Sequence, residues 1–297
     1  HPLGGGVLGR SGTPIASWCM NESDVLLVFG ASFSNHTGIT PKKPTIQVDF
    51  DPMILGKFHA IDVPVWGEIG VTARLLKDAL SGEHNAINQR PDLKERWAIW
   101  RTEKERRMGD DQGKGINSAS VFAAMTEHVP EDAIICVDVG NNTYSFGRYF
   151  ECTRQAVLMS GYLGSIGFAY PAALGAWAAT QEDDLRFKGR PVVAVSGDGG
   201  FGQYFAEVTT AVKYGMNITH ILLNNSEPGK TSKEQRAGNW DVWQTSLHNP
   251  NLAKYAELCG ALGIRVTKKE DLDGAITRAL AHEGPATVEI LTDVDLI

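Results

Sequence analysis

The chain has 297 residues, a formal net charge of −7 and 42% hydrophobic residues. That length suits about two domains, the acidic balance argues against a broad nucleic-acid-binding face, and no apolar run reaches the ~18 residues of a bilayer span. Four scattered cysteines (Cys19, Cys136, Cys152 and Cys259), with no C-x-x-C pair, are expected to be reduced thiols of a cytoplasmic protein rather than a disulfide or metal set.

In chain order, DVLLVFG (residues 24–30) is an apolar run ending in glycine, as expected of a buried parallel strand. TIQVDFD (45–51) and VPVWGEI (63–69) are two more strands, the last leading into an amphipathic helix through VTARLLKDAL. This is about half of a doubly wound sheet. A charged stretch from Lys94 to Gly115 holds a helix with a solvated face, then a Gly-Asp-Lys-rich connection that reads as a linker. A helix over about 118–128 ends before Pro130. Strands AIICVDVG (133–140) and AVLMSG (156–161) follow, then a small-residue helix over SIGFAYPAALGAWAAT (165–180). PVVAVSGDGG (191–200) is a strand and loop, residues 201–214 a helix, and ITHILLNN (218–225) a strand closed by a polar loop. NLAKYAELCGAL, IRVT, DLDGAITRALAH and ATVEIL then read as helix, strand, helix, strand. Such alternation predicts an α/β protein with doubly wound parallel sheets, whose ligands bind beyond the carboxyl ends of the strands.

Two of those ends carry GDGGFG (197–202) and the pair Asn224-Asn225. GDGGFG admits three readings: a tight turn in which glycine serves only backbone geometry, a nicotinamide or flavin dinucleotide turn, or a metal-bound diphosphate site. The dinucleotide reading needs an acidic residue at the end of the next strand, where this chain has Asn224-Asn225. The third reading gives Asp198 a purpose. Backbone amides at a helix start bind phosphate oxygens, and Asp198 with the Asn225 amide oxygen supplies the hard oxygen donors that Mg2+ prefers.

The G-D-G run and the asparagine pair about 27 residues on resemble the thiamine diphosphate signature. The resemblance implies that Asp198, Asn225 and the backbone carbonyl of Glu227 bind Mg2+, and that Gly197, Gly199 and Gly200 form the turn against the diphosphate. GYLGSIGFAYPAALGA (161–176) resembles the family segment that holds the aminopyrimidine. There Ile166 would wedge the cofactor into its folded shape, Gly164 would offer its carbonyl to the 4′-amino group, and Ser165 would lie alongside. By itself, Ile166 reads as a core residue of a small-residue helix. DVGNNTYSFGRYF (138–150) resembles the family's loop over the phosphates, with Gly140 and Asn141 nearby.

Along the whole chain the match is to the pyruvate oxidase and acetolactate synthase group. Residues 1–82 resemble the later half of its central domain, 83–114 a helix and linker, and 115–297 its thiamine diphosphate-binding domain. In flavin-containing members the central domain holds FAD, and LGRSGT (8–13) resembles a stretch that contacts it, which makes Arg10 a candidate flavin contact. The resemblance implies a homodimer or homotetramer acting on a 2-oxo acid such as pyruvate, with decarboxylation and transfer or oxidation of the two-carbon unit. A pyruvate oxidase-like reaction is the first expectation and an acetolactate synthase-like one the alternative; a non-catalytic cofactor-binding fragment and a nicotinamide dehydrogenase are the readings outside that class. Glu234 resembles a pyruvate oxidase glutamate that positions substrate or transfers a proton; otherwise it is an exposed helix charge. Thr231 stands where simple decarboxylases carry glutamate, and Lys230 where oxidases often carry an aromatic residue. The family's amino-terminal pyrimidine-binding domain has no counterpart here, and the chain begins with His1-Pro2, so a piece of a larger enzyme, inactive alone, is expected. His36, His220 and His248 are read as polar contacts.

Overall fold

The computed structural model describes residues 1–31, 37–40, 42–82, 86–161 and 163–296. The chain forms two compact units, residues 1–101 and 102–297. The expected start of the linker at 83 falls on residues outside the described set, as does His36.

The first unit opens with a helix the sequence reading did not include, α1 (Pro14–Glu22). Thr13 caps it by accepting from the Ala16 N–H at 3.2 Å, and Pro14 sits at the first turn, where its missing N–H costs nothing. Strands β1 (Leu26–Phe29), β2 (Thr45–Asp49) and β3 (Val63–Trp66) pair in parallel in the order β1-β2-β3. They are shorter than expected, and β1 is not buried on both faces: Leu27 is 49% exposed. The run 63–69 breaks at Glu68, whose carboxylate accepts from the Gly70 and Val71 N–H groups and so starts α2 (Ile69–Ala79) within it. The long helix α3 (Arg90–Met108) begins earlier than residue 94, and the division between the units falls inside it. Its first half belongs with unit one, Trp97 Nε1 donating to the Gly4 carbonyl at 2.8 Å. Its second half belongs with unit two, Lys104 pairing with Glu151 and Arg107 donating to the Tyr149 hydroxyl at 3.0 Å.

The second unit is a six-stranded parallel sheet in the order β5-β4-β6-β7-β9-β8, made of β4 (Ile134–Val137), β5 (Ala156–Met159), β6 (Val192–Gly197), β7 (Ile218–Asn224), β8 (Leu262–Val266) and β9 (Ala286–Leu291). The helices are α4 (Ser118–His128), α5 (Asn141–Tyr149), α6 (Ala169–Thr180), α7 (Asp198–Phe201), α8 (Glu207–Lys213), α9 (Gly229–Ala237), α10 (Leu252–Leu258) and α11 (Leu272–Leu280). Strand side chains alternate between faces. Ile134, Cys136, Val192 and Ala194 pack with Tyr170 and Ala173 of α6, Val208 of α8 and Leu252 of α10. Ile135, Val137, Val193 and Val195, all fully buried, face the opposite side, where α5 and α11 cover the sheet and α4 packs on both. Each such side chain contributes roughly 1.5–3 kcal/mol of burial free energy. Both faces are covered, as the near-continuous apolar strands require.

Several local expectations change. The helix expected over 165–180 starts only at Ala169, because Gly164 (φ +64°) and Gly167 (φ +86°) hold 164–168 as a loop, so Ile166 is a loop residue. The helix expected over 201–214 is broken into α7 and α8. The supposed loops after Gly140 and after Asn225 contain α5 and α9. The helix expected from 251 to 262 stops at Leu258, since Leu262 and Gly263 already belong to β8. Among the described residues, no helix is long and apolar enough to cross a membrane.

Candidate functional site

The chain runs from β4 out to β5 on one side and returns to β6 on the other, so the sheet's switch point lies between β4 and β6. Crevices beyond the carboxyl ends at such points are where ligands of open α/β sheets bind. The register pairs Val137 with Val195 and Gly197 with Leu223, which brings the ends of β4, β6 and β7 to one level. A cavity of about 420 Å3 opens there. Its wall includes Gly140, Asn141, Ile166, Gly197, Asp198, Gly199, Gly200, Asn225, Glu227 and Glu234. Gly164 and Ser165 lie outside the wall on the exposed part of the 164–168 loop, and Arg10 lies in the first unit on an exposed turn.

Asp198 opens α7 and is 4% exposed. Its Oδ2 accepts from the Ser226 N–H at 2.7 Å and from Asn249 Nδ2 at 2.6 Å. Burial raises its pKa despite these bonds. Asn225 Oδ1 accepts from the Glu227 N–H at 3.0 Å, and the Glu227 carbonyl accepts from the Gly229 N–H at 2.8 Å. Each of these oxygens keeps a second lone pair. Ser226, at φ +56°, makes the sharp turn after β7, and its N–H bond to Asp198 links the ends of β6 and β7. The donor set is all oxygen and includes one buried anion, which fits a hard divalent cation.

The same cavity also offers groups suited to an anion. The helices α5 and α9 both begin on it, with the positive ends of their dipoles toward the space. Asn141 Nδ2 is a buried donor with no acceptor. Gly229 fits closely against it: a Cβ there would lie 2.4 Å from Asn141 Nδ2 and 2.4 Å from Val294 Cγ2. Ile166, 46% exposed, joins Leu223 and Leu247 as the apolar part of the wall. At the rim, Lys230 pairs with Glu234 one helical turn on and lies 5.5 Å from the Tyr144 ring centroid; the Glu234 hydrogen bond raises the lysine's pKa.

Three groups were not singled out from sequence. Asn249 donates both to Asp198 and, at 3.0 Å, to Asn224 Oδ1, while Asn224 Nδ2 donates to the fully buried Glu289 at 2.7 Å. Arg265 donates to that same carboxylate at 3.2 Å. A polar row therefore runs from Arg265 to the candidate metal carboxylate; Asn249, 51 positions from Asp198, carries no motif that would reveal it. Asp293, 1% exposed, lines the cavity with Oδ2 unpartnered. Asp138 stood inside a stretch read only for Gly140 and Asn141. His220, by contrast, was expected to make a polar contact: fully buried, it bonds Ser196 Oγ through Nε2 at 2.7 Å, clusters with the rings of Tyr170 and Phe201, and burial lowers its pKa to about 3.

Fold and site together define a class: an α/β protein whose cavity beyond the strand ends is lined by oxygen donors of the kind a hard cation prefers and by helix N-termini of the kind that suits phosphate. The family profile described as "Thiamine pyrophosphate enzyme, C-terminal TPP binding domain" matches residues 138–290, and that of the same enzymes' central domain matches residues 1–76. The chain belongs to the thiamine pyrophosphate enzymes, in the pyruvate oxidase and acetolactate synthase group. It is similar to YdaP of Bacillus subtilis (strain 168), described as thiamine pyrophosphate-containing, at 32% identity over 98% of this chain and 49% of that protein. It is also similar to the acetolactate synthase large subunit of Corynebacterium glutamicum, at 30% identity over 99% of this chain and 48% of that one. Acetolactate synthase 1, chloroplastic, of Nicotiana tabacum is 28% identical over 96% of this chain and 44% of its own length. The chain spans about half the length of the curated relatives it matches.

Proposed function

We propose that this chain forms the diphosphate- and Mg2+-binding part of a thiamine diphosphate-dependent enzyme that acts on a 2-oxo acid, with two-carbon transfer of the acetolactate synthase kind as the favoured outcome. The observation that carries the reading is that Asp198, Asn225 and Glu227 line one cavity together with the unsatisfied Asn141 amide and the starts of α5 and α9. When bound, thiamine diphosphate supplies the nucleophilic carbon and electron sink for decarboxylation. Asp198, Asn225 and Glu227 would hold the cation. Gly199, Gly200, Gly140 and Asn141 would bind phosphate oxygens, and Ile166 would support the cofactor's folded shape. Glu234, exposed at the rim and tied to Lys230, is suited to meeting a substrate rather than the cofactor.

Acetolactate synthase chemistry is favoured because relatives bearing that name match nearly the whole chain. A pyruvate oxidase-like outcome rests on the residues around Glu234 alone. FAD enters no step of this reading: its support is the central-domain match of residues 1–76, the LGRSGT resemblance and the candidate contact Arg10. The apolar side chains of β5, with Leu158 43% and Met159 42% exposed, are what an adjoining subunit of a homodimer or homotetramer would cover.

Calorimetric titration with thiamine diphosphate tests the reading. Binding should require Mg2+ and fall at least ~100-fold in Asp198→Ala, since a buried anionic ligand is lost. Binding indifferent to Mg2+, or a preference for NAD, would sink it. Formation of acetolactate from pyruvate by the enzyme would separate transfer from oxidation, which would instead consume oxygen.

A further inference from the structure

We propose that Asp138 is a positioning residue: its carboxylate ties the Ile166 loop to the end of β4 and sets the part of the cavity that distinguishes thiamine diphosphate from bare diphosphate. The proposal rests on the cofactor reading above. Asp138 is 1% exposed at the switch point. Its Oδ1 accepts three backbone N–H groups, from Val139 at 2.8 Å, Gly167 at 2.8 Å and Phe168 at 3.1 Å. Two of these belong to the loop that carries Ile166, and bonds of this kind to an ionised acceptor are roughly twice as strong as neutral ones. The other end of that loop is held separately, by Gly164 N–H on the Ser160 carbonyl at 3.0 Å.

The second oxygen, Oδ2, is buried without a hydrogen-bond partner. A Cβ on Gly200 would come within 2.2 Å of it and within 3.0 Å of the Gly167 nitrogen. Three segments therefore converge on one carboxylate: the end of β4, the Ile166 loop and the GDGG turn. Apart from the adjacent Val139 N–H, the hydrogen bonds to it among the described residues come from the Ile166 loop. The GDGG turn merely touches it, and is held to the asparagine pair through Asp198 instead. Loss of the Asp138 side chain should free Ile166 while leaving the phosphate and cation ligands in place.

The test uses the 297-residue chain as wild type, Asp138→Asn and Asp138→Ala. Affinities for thiamine diphosphate and for inorganic diphosphate, each with Mg2+, are measured by calorimetry, and backbone amide exchange is followed in the ligand-free proteins. Asp138→Ala is expected to lose ~10–100-fold in thiamine diphosphate affinity, the range typical of supporting residues, with inorganic diphosphate affinity unchanged within error. The ratio of the two affinities should fall in the order wild type, Asn, Ala, because Asn keeps an acceptor oxygen but not its charge. Exchange at Gly167 and Phe168 should accelerate in the same order. If Asp138→Ala does not fold, the Asn variant must still lower the ratio. Equal losses for both ligands, or unaltered exchange at 167 and 168, would overturn the proposal while leaving the cofactor assignment standing. Failure of the wild type to bind either ligand would overturn both.

Discussion

Asp138 and His220 are both buried, both titratable, and pull the pH dependence of stability in opposite directions. Burial lowers the His220 pKa to about 3, below its unfolded value. The unfolded chain therefore takes up the proton first, and stability is lost as pH falls from the unfolded value toward 3. Burial raises the Asp138 pKa to about 6. There the folded chain holds the proton longer, and stability is lost as pH rises from the usual aspartate range through about 6. Each contributes at most ~1.4 kcal/mol per pH unit within its window. Between pH 4 and 6 the two slopes largely cancel. In His220→Gln, urea unfolding midpoints should therefore fall with rising pH over that range relative to the wild type; a midpoint as level as the wild type's would contradict the assignment. Of the residues themselves, Asp198 and Asn225 were legible because two strand ends carry a spaced signature. Asp138 and Asn249 were not: a carboxylate that binds backbone amides 29 positions away leaves no local pattern.

At the scale of elements, glycine decides where segments pack. Gly263 lies in β8 under α10, and a Cβ there would come 2.0 Å from the Ala253 carbonyl oxygen. Backbone on backbone cannot yield by a side-chain rotation. Gly263→Ala should therefore destabilise the second unit by about 1–3 kcal/mol, read as a lower urea midpoint, with the Mg2+-diphosphate affinity of the folded fraction unchanged. The same residue explains why the sequence reading ran the helix on to 262: the apolar residues of CGAL continue a helical pattern, and only the close approach of α10 marks Gly263 as strand. Ile166 was misplaced on a helix for a related reason. Its small-residue surroundings have good helical periodicity, yet Gly164 and Gly167 adopt positive φ and Asp138 claims the next two amides. Conversely, α5 and α9 were read as loops because polar, asparagine- and glycine-rich openings look irregular in sequence, although such openings are where a helix meets an anion.

For the whole molecule, two compact units predict two unfolding events. The candidate site belongs entirely to residues 102–297, so only that unit's transition should respond to ligand. In scanning calorimetry, Mg2+ with thiamine diphosphate at ~100 times its dissociation constant should stabilise one transition by ~2.7 kcal/mol and leave the other in place. A ligand shift in both would show that the units unfold together.

The sequence by itself determined the α/β class, the parallel strands and the donor groups carried at two of their ends. Those features are encoded by runs of apolar residues closed by glycine, aspartate and asparagine, and such signals are local. Only the tertiary structure decided the strand order. That order places the switch point between β4 and β6 and brings residues 139–142, 166, 197–200, 225 and 227–231 around one cavity. Every strand of a buried parallel sheet presents similar apolar faces, so periodicity says that a strand exists but not which neighbour it takes. That choice depends on how the helices fill the two faces, and on single close contacts such as Gly200 against Asp138.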